Sequence, residues 1–296
     1  MRDSGPVLLP LDGSDLSAGA LPYAEALARA TRTKLIMLTV WEGIDNELGS
    51  TFPSMALDVQ EKAQAHFEEY LATAQANISG VEVETLVRTG RPADEIAKVA
   101  EDAGARLIVL ATHGRSGLSR WAYGSTAGHV LRNGAVPVLA VGPHALEKPE
   151  QDKTIRHIMC PLDGSDHSAA ALPVATDLAR QLGARISLVR IVRWAAQAYP
   201  YTLPDAYVPQ VDDELEEGAK AYLRKMEERI EGVERSAFVV RGSVAEGLFE
   251  FIDKEAVDLV VMTTHARSGI ARMTLGSVAE RLLHGTAPVL MIPPAE

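Results

Sequence analysis

The chain of 296 residues contains one segment twice, and this internal repeat limits the folds that it can adopt. The six residues PLDGSD occur at 10–15 and again at 161–166, each time followed by an alanine-rich helical pattern. Similar apolar runs then follow in the same order, ending with PVLAV at 137–141 and PVLMI at 288–292. A repeat of this length indicates duplication of a whole domain rather than a solenoid of short units.

Each half alternates five runs rich in Val, Ile and Leu with four helical patterns. Nearly continuous apolar strands are typical of a parallel sheet that helices cover on both faces, with right-handed crossovers. We therefore predict an α/β fold of two tandem, doubly wound, Rossmann-like sheets, each with five parallel strands in the order 3-2-1-4-5. The polar, proline-bearing residues 144–154 predict a linker between a first domain, 1–143, and a second, 155–296.

Charge, cysteine content and apolar content disfavour several classes of protein. The net charge of −11 disfavours a general nucleic-acid binder. The single cysteine, Cys160, cannot form an intramolecular disulfide and fits a reducing compartment. No apolar stretch approaches a membrane span, and the first residues lack the apolar core of a signal peptide. We expect a cytoplasmic protein without a membrane or nucleic-acid partner. Because no C-x-x-C pair or H-E-x-x-H helix occurs, we also expect no resident metal.

A glycine-bearing loop follows the fourth strand of each half. In the first half it reads ATHGRSGLSRWAYGST at 111–126, and in the second TTHARSGIARMTLGSV at 263–278. Both copies carry His and Arg but no acid, which favours an anion at the start of the next helix. Ser125 and Thr126 could cap that helix and bond a phosphate oxygen. The alternative is an ordinary solvated turn, but its occurrence in two equivalent places favours the anion site.

The predicted strand order brings the two repeated motifs together. Ligands of doubly wound sheets bind beyond the carboxyl ends of the strands, where the strand order reverses, here between strands one and four. Asp12 and Asp163 could accept hydrogen bonds from ribose hydroxyls or hold a metal on phosphates. Asp-Gly-Ser is equally suited to turn or N-cap chemistry, so both interpretations stay open. Val40 and Ile191 could line an adenine slot or simply belong to the core.

The candidate ligand-binding residues thus come from the ends of strands one, two and four and from the helix that follows strand four. In the first half they are Pro10, Asp12, Val40, Ala111, His113, Gly114, Arg115, Gly124, Ser125 and Thr126. In the second half they are Pro161, Asp163, Ile191, Thr263, His265, Ala266, Arg267, Gly276, Ser277 and Val278.

These motifs resemble the universal stress protein family over residues 6–143 and 155–294. ATP-binding members of that family carry Gly, two residues, Gly, nine residues, Gly and then Ser or Thr. Gly114, Gly124 and Ser125 match this pattern, with Ala111 in place of its first glycine. In the second half only Gly276 and Ser277 match, since Thr263 and Ala266 replace the earlier glycines.

The resemblance implies ATP as the ligand, with Mg²⁺ as an accompanying ion, and places Asp12 and Asp163 near the ribose. It also implies that two such domains pair, here as a pseudo-dimer within one chain that could form a further homodimer. Since an apolar final strand would otherwise leave an exposed sheet edge, we predict contact between 137–141 and 288–292.

We predict a stress-response protein that binds ATP as a regulatory ligand and has no catalytic residues. One alternative is an enzyme, either a slow ATPase or an adenylyl-transferring relative. The other is an interaction scaffold without a nucleotide. Fast phosphoryl transfer is disfavoured because no P-loop with Lys followed by Ser or Thr occurs. His113 and His265 could act as bases, but contact with phosphate or solvent is the simpler role.

The first half should bind ATP more tightly than the second, because Gly114 corresponds to Ala266. If that position needs a positive φ, alanine there costs about 1–2 kcal/mol, or roughly a tenfold loss of affinity. We expect Ala266→Gly to tighten the second site and Gly114→Ala to loosen the first in calorimetric titrations with ATP. Equal filling of both wild-type sites, with no effect of Ala266→Gly, would contradict the glycine argument.

Overall fold

The computed structural model describes residues 5–44, 51–112, 124–133, 135–149, 153–194, 208–264 and 276–293. The chain divides into two compact units, residues 1–150 and 151–296. Each unit contains five parallel strands that alternate with helices. The predicted tandem α/β architecture is confirmed.

The first unit has the strand order β3-β2-β1-β4-β5. Its strands are Val7–Pro10 (β1), Leu35–Trp41 (β2), Val83–Thr89 (β3), Leu107–Ala111 (β4) and Val138–Val141 (β5). Its described helices are Asp15–Ala18 (α1), Leu21–Thr31 (α2), Pro53–Gln75 (α3), Pro92–Asp102 (α4), Ser125–Asn133 (α5) and Pro143–Leu146 (α6). All strand pairs within the unit are parallel.

The second unit repeats this order as β8-β7-β6-β9-β10. Its strands are His157–Pro161 (β6), Arg185–Val192 (β7), Arg235–Arg241 (β8), Leu259–Thr263 (β9) and Val289–Ile292 (β10). Its described helices are Asp166–Ala169 (α7), Leu172–Leu182 (α8), Val208–Glu227 (α9), Val244–Lys254 (α10) and Ser277–Leu282 (α11). These strand pairs are also parallel.

The central strands are buried on both faces, as their continuous apolar runs predict. Val7, Leu8 and Leu9 of β1 are fully buried, and the four residues of β5 are at most 3% exposed. Helices cover both faces because the strand order reverses between β1 and β4, so the crossovers on either side of this point lie on opposite faces. The same reversal leaves the carboxyl ends of β1 and β4 next to an uncovered crevice.

The alanine-rich pattern after PLDGSD is two helices rather than the single predicted one. α1 ends after one turn, and α2 begins at Leu21 with Pro22 in its first turn. Proline has no N–H to continue the hydrogen bonds of a preceding helix but is well tolerated in a first turn. The start of the predicted linker also differs, since α6 packs on the first unit through a hydrogen bond from the Tyr23 hydroxyl to the Ala145 carbonyl, 3.2 Å.

A buried polar cluster lies at the amino end of β6. The imidazole of His157, a residue 3% exposed, has Nε2 2.7 Å from the Ser187 hydroxyl and Nδ1 3.0 Å from the Glu255 carbonyl oxygen. The Arg185 guanidinium lies 3.0 Å from Nδ1, and the Asp258 carboxylate accepts from the His157 amide. Burial lowers the pKa of His157, and Arg185 acts in the same direction, while the hydrogen bond to Glu255 opposes them.

We expect this cluster to make the second unit less stable in mild acid. The unfolded chain takes up the proton near pH 6.5, the ordinary imidazole value, whereas folded His157 resists it. Stability is therefore lost as pH falls below about 6.5, by up to about 1.4 kcal/mol per pH unit. Urea unfolding between pH 5 and 7.5 should show a shallower dependence for His157→Gln than for the wild type. His144→Gln, which alters an exposed imidazole, serves as the control. Equal slopes for wild type and His157→Gln would contradict this assignment.

Candidate functional site

The turn after β1 is held by a small hydrogen-bond network. The Asp12 carboxylate oxygen Oδ1 accepts from the Ser14 amide, 3.0 Å, and from the Ser14 hydroxyl, 2.6 Å. Ser14 caps α1 by accepting from the Ser17 amide, 3.2 Å, and the Ser17 hydroxyl accepts from the Asp12 amide, 3.2 Å. Gly13 has φ 83°, which glycine adopts at little cost. The turn interpretation of Asp12 is thus realised, with Ser14 as the N-cap.

The start of α5 lies on the other side of the crevice. The Gly124 amide donates to the Thr112 carbonyl, 2.7 Å, which ties the helix start to the end of β4. Helix α5 begins at Ser125, so Ser125 and Thr126 form its first turn and Gly124 precedes it. The first amides of a helix have no partner within the helix and carry its positive partial charge. This helix start can therefore hold an anion.

A cavity of about 390 Å³ connects the turn and the helix start. Its apolar walls include Leu38 and Val40 from β2, Phe67 from α3 and Ile96 from α4. The remaining lining residues come mainly from the ends of β1, β2 and β4 and from the first turn of α5: Pro10, Leu11, Asp12, Ser17, Trp41, Glu42, Pro92, Leu110, Ala111, Thr112, Gly124, Ser125, Thr126 and Ala127. The cavity thus has an apolar wall from several elements, with Asp12 and the α5 helix start at its polar side.

Seven of the ten candidate residues in the first half line this cavity: Pro10, Asp12, Val40, Ala111, Gly124, Ser125 and Thr126. The other three, His113, Gly114 and Arg115, lie outside the described residues. Sequence reasoning missed Ser17, Trp41, Phe67 and Ile96 as lining residues. Ser17 carried a usable signal, because Ser168 follows the second PLDGSD copy at the same spacing. Phe67 carried none, since Ala219 stands at the corresponding place.

The charged residues in the described cavity lining are both acidic, Asp12 and Glu42. Favourable electrostatics for an anion in this part of the site come from the amides and the dipole of α5. The predicted cations of the first half fall in residues 113–123, which are not described.

The second unit repeats the turn with nearly the same geometry. The Asp163 carboxylate accepts from the Ser165 amide, 2.9 Å, and hydroxyl, 2.5 Å, and Gly164 has φ 91°. The described candidates lie at the end of β6 (Pro161), in its turn (Asp163), in β7 (Ile191), at the end of β9 (Thr263) and at the start of α11 (Gly276, Ser277, Val278). His265, Ala266 and Arg267 lie outside the described residues.

The second unit differs from the first in how its crevice is bridged. The imidazole Nε2 of His167 lies 2.8 Å from the Thr264 carbonyl oxygen, which joins the start of α7 to the end of β9. Leu16 occupies the corresponding place in the first half. Gly276 is the N-cap of α11 and makes no side-chain cap bond, so amides of its first turn are available.

The described part of the chain was also searched for a reactive cysteine, a metal site and a membrane-spanning helix. Cys160 is fully buried in β6, and burial raises the pKa of its thiol to about 12, so it is a core residue rather than a nucleophile. No group of three His, Cys, Asp or Glu side chains there could hold a metal ion. Among the same residues, no helix combines the length and apolar content that crossing a membrane needs.

Fold and crevice define a doubly wound α/β protein with its candidate site at the point where the strand order reverses. The model of the universal stress protein family matches the chain twice, at residues 4–142 and 154–293. The chain therefore belongs to the universal stress protein family.

Relatives support this assignment for single and tandem domains. A universal stress protein of Methanocaldococcus jannaschii is 34% identical over 46% of this chain and 81% of its own length. One from Mycolicibacterium smegmatis is 28% identical over 82% of this chain and 81% of its own. The chain spans 65% of the length of a relative from Mycobacterium tuberculosis. A solved universal stress protein from Archaeoglobus fulgidus shares the fold, with a TM-score of 0.68, 18% identity and 99% of both chains covered.

The serine cap offers a test of how firmly the turn holds Asp12. Ser14→Ala removes the cap of α1 and the hydroxyl that donates to Asp12, so we expect it to cost about 0.5–2 kcal/mol of stability. Ser165→Ala should cost a similar amount in the second unit because its contacts are the same. Chemical denaturation of both variants against Ser79→Ala, which alters an exposed serine, checks this expectation. A loss below 0.3 kcal/mol in both would show that the network does not stabilise the turns.

Proposed function

We propose that the first unit binds ATP in the cavity between β1, β2, β4 and α5 and that this protein uses ATP as a regulatory ligand in a stress response. The observation that carries the proposal is the placement of Asp12 and the α5 helix start at the same cavity, beside an apolar wall. Each part of a nucleotide has a matching partner there. The volume of about 390 Å³ falls within the range of small-molecule sites.

The base fits the apolar wall. Leu38, Val40, Phe67 and Ile96 come from three different elements and offer a surface that a flat ring can contact. Trp41 adds an aromatic ring at the end of β2. Such walls, with few polar groups, are typical of ligand pockets, so adenine would gain most of its affinity here from burial.

The ribose fits Asp12. One carboxylate oxygen is held by Ser14, which fixes the orientation of the group before a ligand arrives. A carboxylate accepts several hydrogen bonds, and sugar hydroxyls are suitable donors. Pre-orientation of this kind reduces the entropy that binding must otherwise cost.

The phosphates fit the start of α5. Gly124 has no side chain to block approach, and among the described residues a Cβ placed there would meet the Thr112 carbonyl oxygen at 3.7 Å, an ordinary contact distance. The amides of the first turn and the Ser125 and Thr126 hydroxyls can donate to phosphate oxygens. Mg²⁺ would accompany the phosphates with oxygen ligands and water, as it usually does.

The second unit repeats the acid, the turn and the glycine at the helix start, so we propose that it also binds a nucleotide, more weakly for ATP. We further propose that domains 1–143 and 155–296 pair within the chain as a pseudo-dimer and that the protein acts in the cytoplasm. The internal repeat and the family support the pairing.

The alternative to a regulatory ATP site is an enzyme with adenylyl-transferring or slow ATPase activity. Mass spectrometry of the ligand released from purified protein distinguishes the two functions. Bound ATP supports a regulatory site, and bound ADP or AMP supports turnover.

Asp12→Ala should weaken ATP binding by more than it destabilises the fold, where it removes the acceptor of the Ser14 amide and hydroxyl. A charge-assisted hydrogen bond to the ribose contributes about 1.5–3 kcal/mol, so we expect the dissociation constant to rise about tenfold or more. Isothermal titration with ATP measures the effect in the full chain. Asp58→Ala removes an acid from the exposed face of α3 and is the matched control. Identical affinities for Asp12→Ala and wild type would return Asp12 to a turn role alone.

A further inference from the structure

The repeat allows the two sites to be compared position by position, and their charges differ. At the end of the second strand, TVWE at 39–42 corresponds to RIVR at 190–193. Arg190 therefore replaces Thr39, and Arg193 replaces Glu42. The acid of the turn is kept, as Asp12 and Asp163. The described charged groups at these places are two acids in the first unit, but one acid and two arginines in the second.

Arg190 lies directly against the turn that holds Asp163. Its two terminal nitrogens are 2.7 and 2.8 Å from the point where a Cβ on Gly164 would lie, so the guanidinium packs on the backbone next to Asp163. Its central carbon is 4.9 Å from the centroid of the Tyr222 ring in α9. The aromatic ring and the turn thus fix the position of this half-buried cation.

None of the ion pairs among the described residues involves Arg190, whose cation–π contact is with the Tyr222 ring. Arg241, on the adjacent strand, pairs with Glu216 and Asp213. A guanidinium whose two faces are covered in this way can still donate from its N–H edge to a ligand. That edge is a planar fork which matches the oxygens of a phosphate.

The same place in the first unit cannot do this. Thr39 is a neutral, fully buried residue outside the described cavity lining, and the charged residues of that lining are Asp12 and Glu42. These carboxylates would repel an additional phosphate near the sugar. The two units also differ in side-chain size near this place. Phe67, which lines the first cavity, corresponds to the smaller Ala219 in α9, three residues before Tyr222.

We infer that Arg190 makes the second unit select adenine nucleotides that carry a phosphate on the ribose 2′ or 3′ oxygen. This inference rests on the proposed function, since it takes the Asp163 turn as the ribose end of a nucleotide site. The arginine lies next to that turn, so its fork meets a group on the sugar rather than the 5′-phosphates at the start of α11. Arg193 adds a second positive charge from the same strand end. The two units then share a scaffold and differ in ligand.

The experiment compares AMP with adenosine 3′,5′-bisphosphate and adenosine 2′,5′-bisphosphate on the full chain. Titration calorimetry gives the affinities, and hydrogen exchange of peptides covering 158–168 and 185–192 assigns them to the second unit. We expect wild-type protein to bind one bisphosphate about tenfold or more tightly than AMP at this unit, as a charged hydrogen bond allows. The two isomers show which oxygen carries the phosphate.

Arg190→Met keeps an unbranched side chain at this position but removes the fork, including the guanidinium that lies over Tyr222. We expect this variant to lose the preference while its affinity for AMP stays within about threefold, which a merely structural arginine would not produce. Arg235→Met, at the exposed start of β8, removes the same charge elsewhere and should keep the preference. A preference that persists in Arg190→Met, or AMP binding without any preference in the wild type, overturns the inference alone. If neither ATP nor AMP protects either unit, the proposed function fails with it.

Discussion

The reversal of strand order between β1 and β4 is the constraint on which the rest of each unit depends. Crossovers on either side of this point lie on opposite faces of the sheet, so no helix covers the carboxyl ends of these two strands. The loops there must satisfy their own polar groups. The first unit does so on one side with the Asp12 and Ser14 network and on the other with the bond from Gly124 to Thr112. The cavity between the turn and the helix start therefore has the Asp12 carboxylate as a hydrogen-bond acceptor and the first amides of α5 as donors.

Duplication kept this scaffold and changed the side chains around it. The turns differ by no more than about 0.1 Å in their carboxylate–serine distances, with hydroxyl bonds of 2.6 and 2.5 Å in the two units. Around the second turn, Arg190 and Ala219 replace Thr39 and Phe67, and His167 joins the turn helix to β9. Because the turn geometry depends only on its own short segment, neighbouring positions were free to diverge. Two sites of different ligand preference are the expected result.

The sequence predicted the fold well, because its strands are short, apolar and repeated. α4 begins at Pro92 and α10 at Val244, and in both cases a glycine two residues earlier marks the start in the sequence. The split between α1 and α2 was not predicted, although Pro22 marks it. In the first unit Pro10, Asp12, Val40 and Ala111 line the cavity, because strand order alone places these strand ends there. Phe67 was missed because packing with β2 and β3 decides which face of α3 points to the cavity. No repeated motif in the sequence indicates that orientation.

A crystal structure of the full chain grown with ATP and Mg²⁺ tests the central claim most directly. We expect nucleotide in the first unit, with adenine against Leu38, Val40 and Phe67, a ribose hydroxyl within hydrogen-bond distance of Asp12, and phosphate oxygens at the amides of Ser125 and Thr126. Nucleotide density elsewhere on the unit, or none in the cavity at an ATP concentration far above that of the protein, would contradict it.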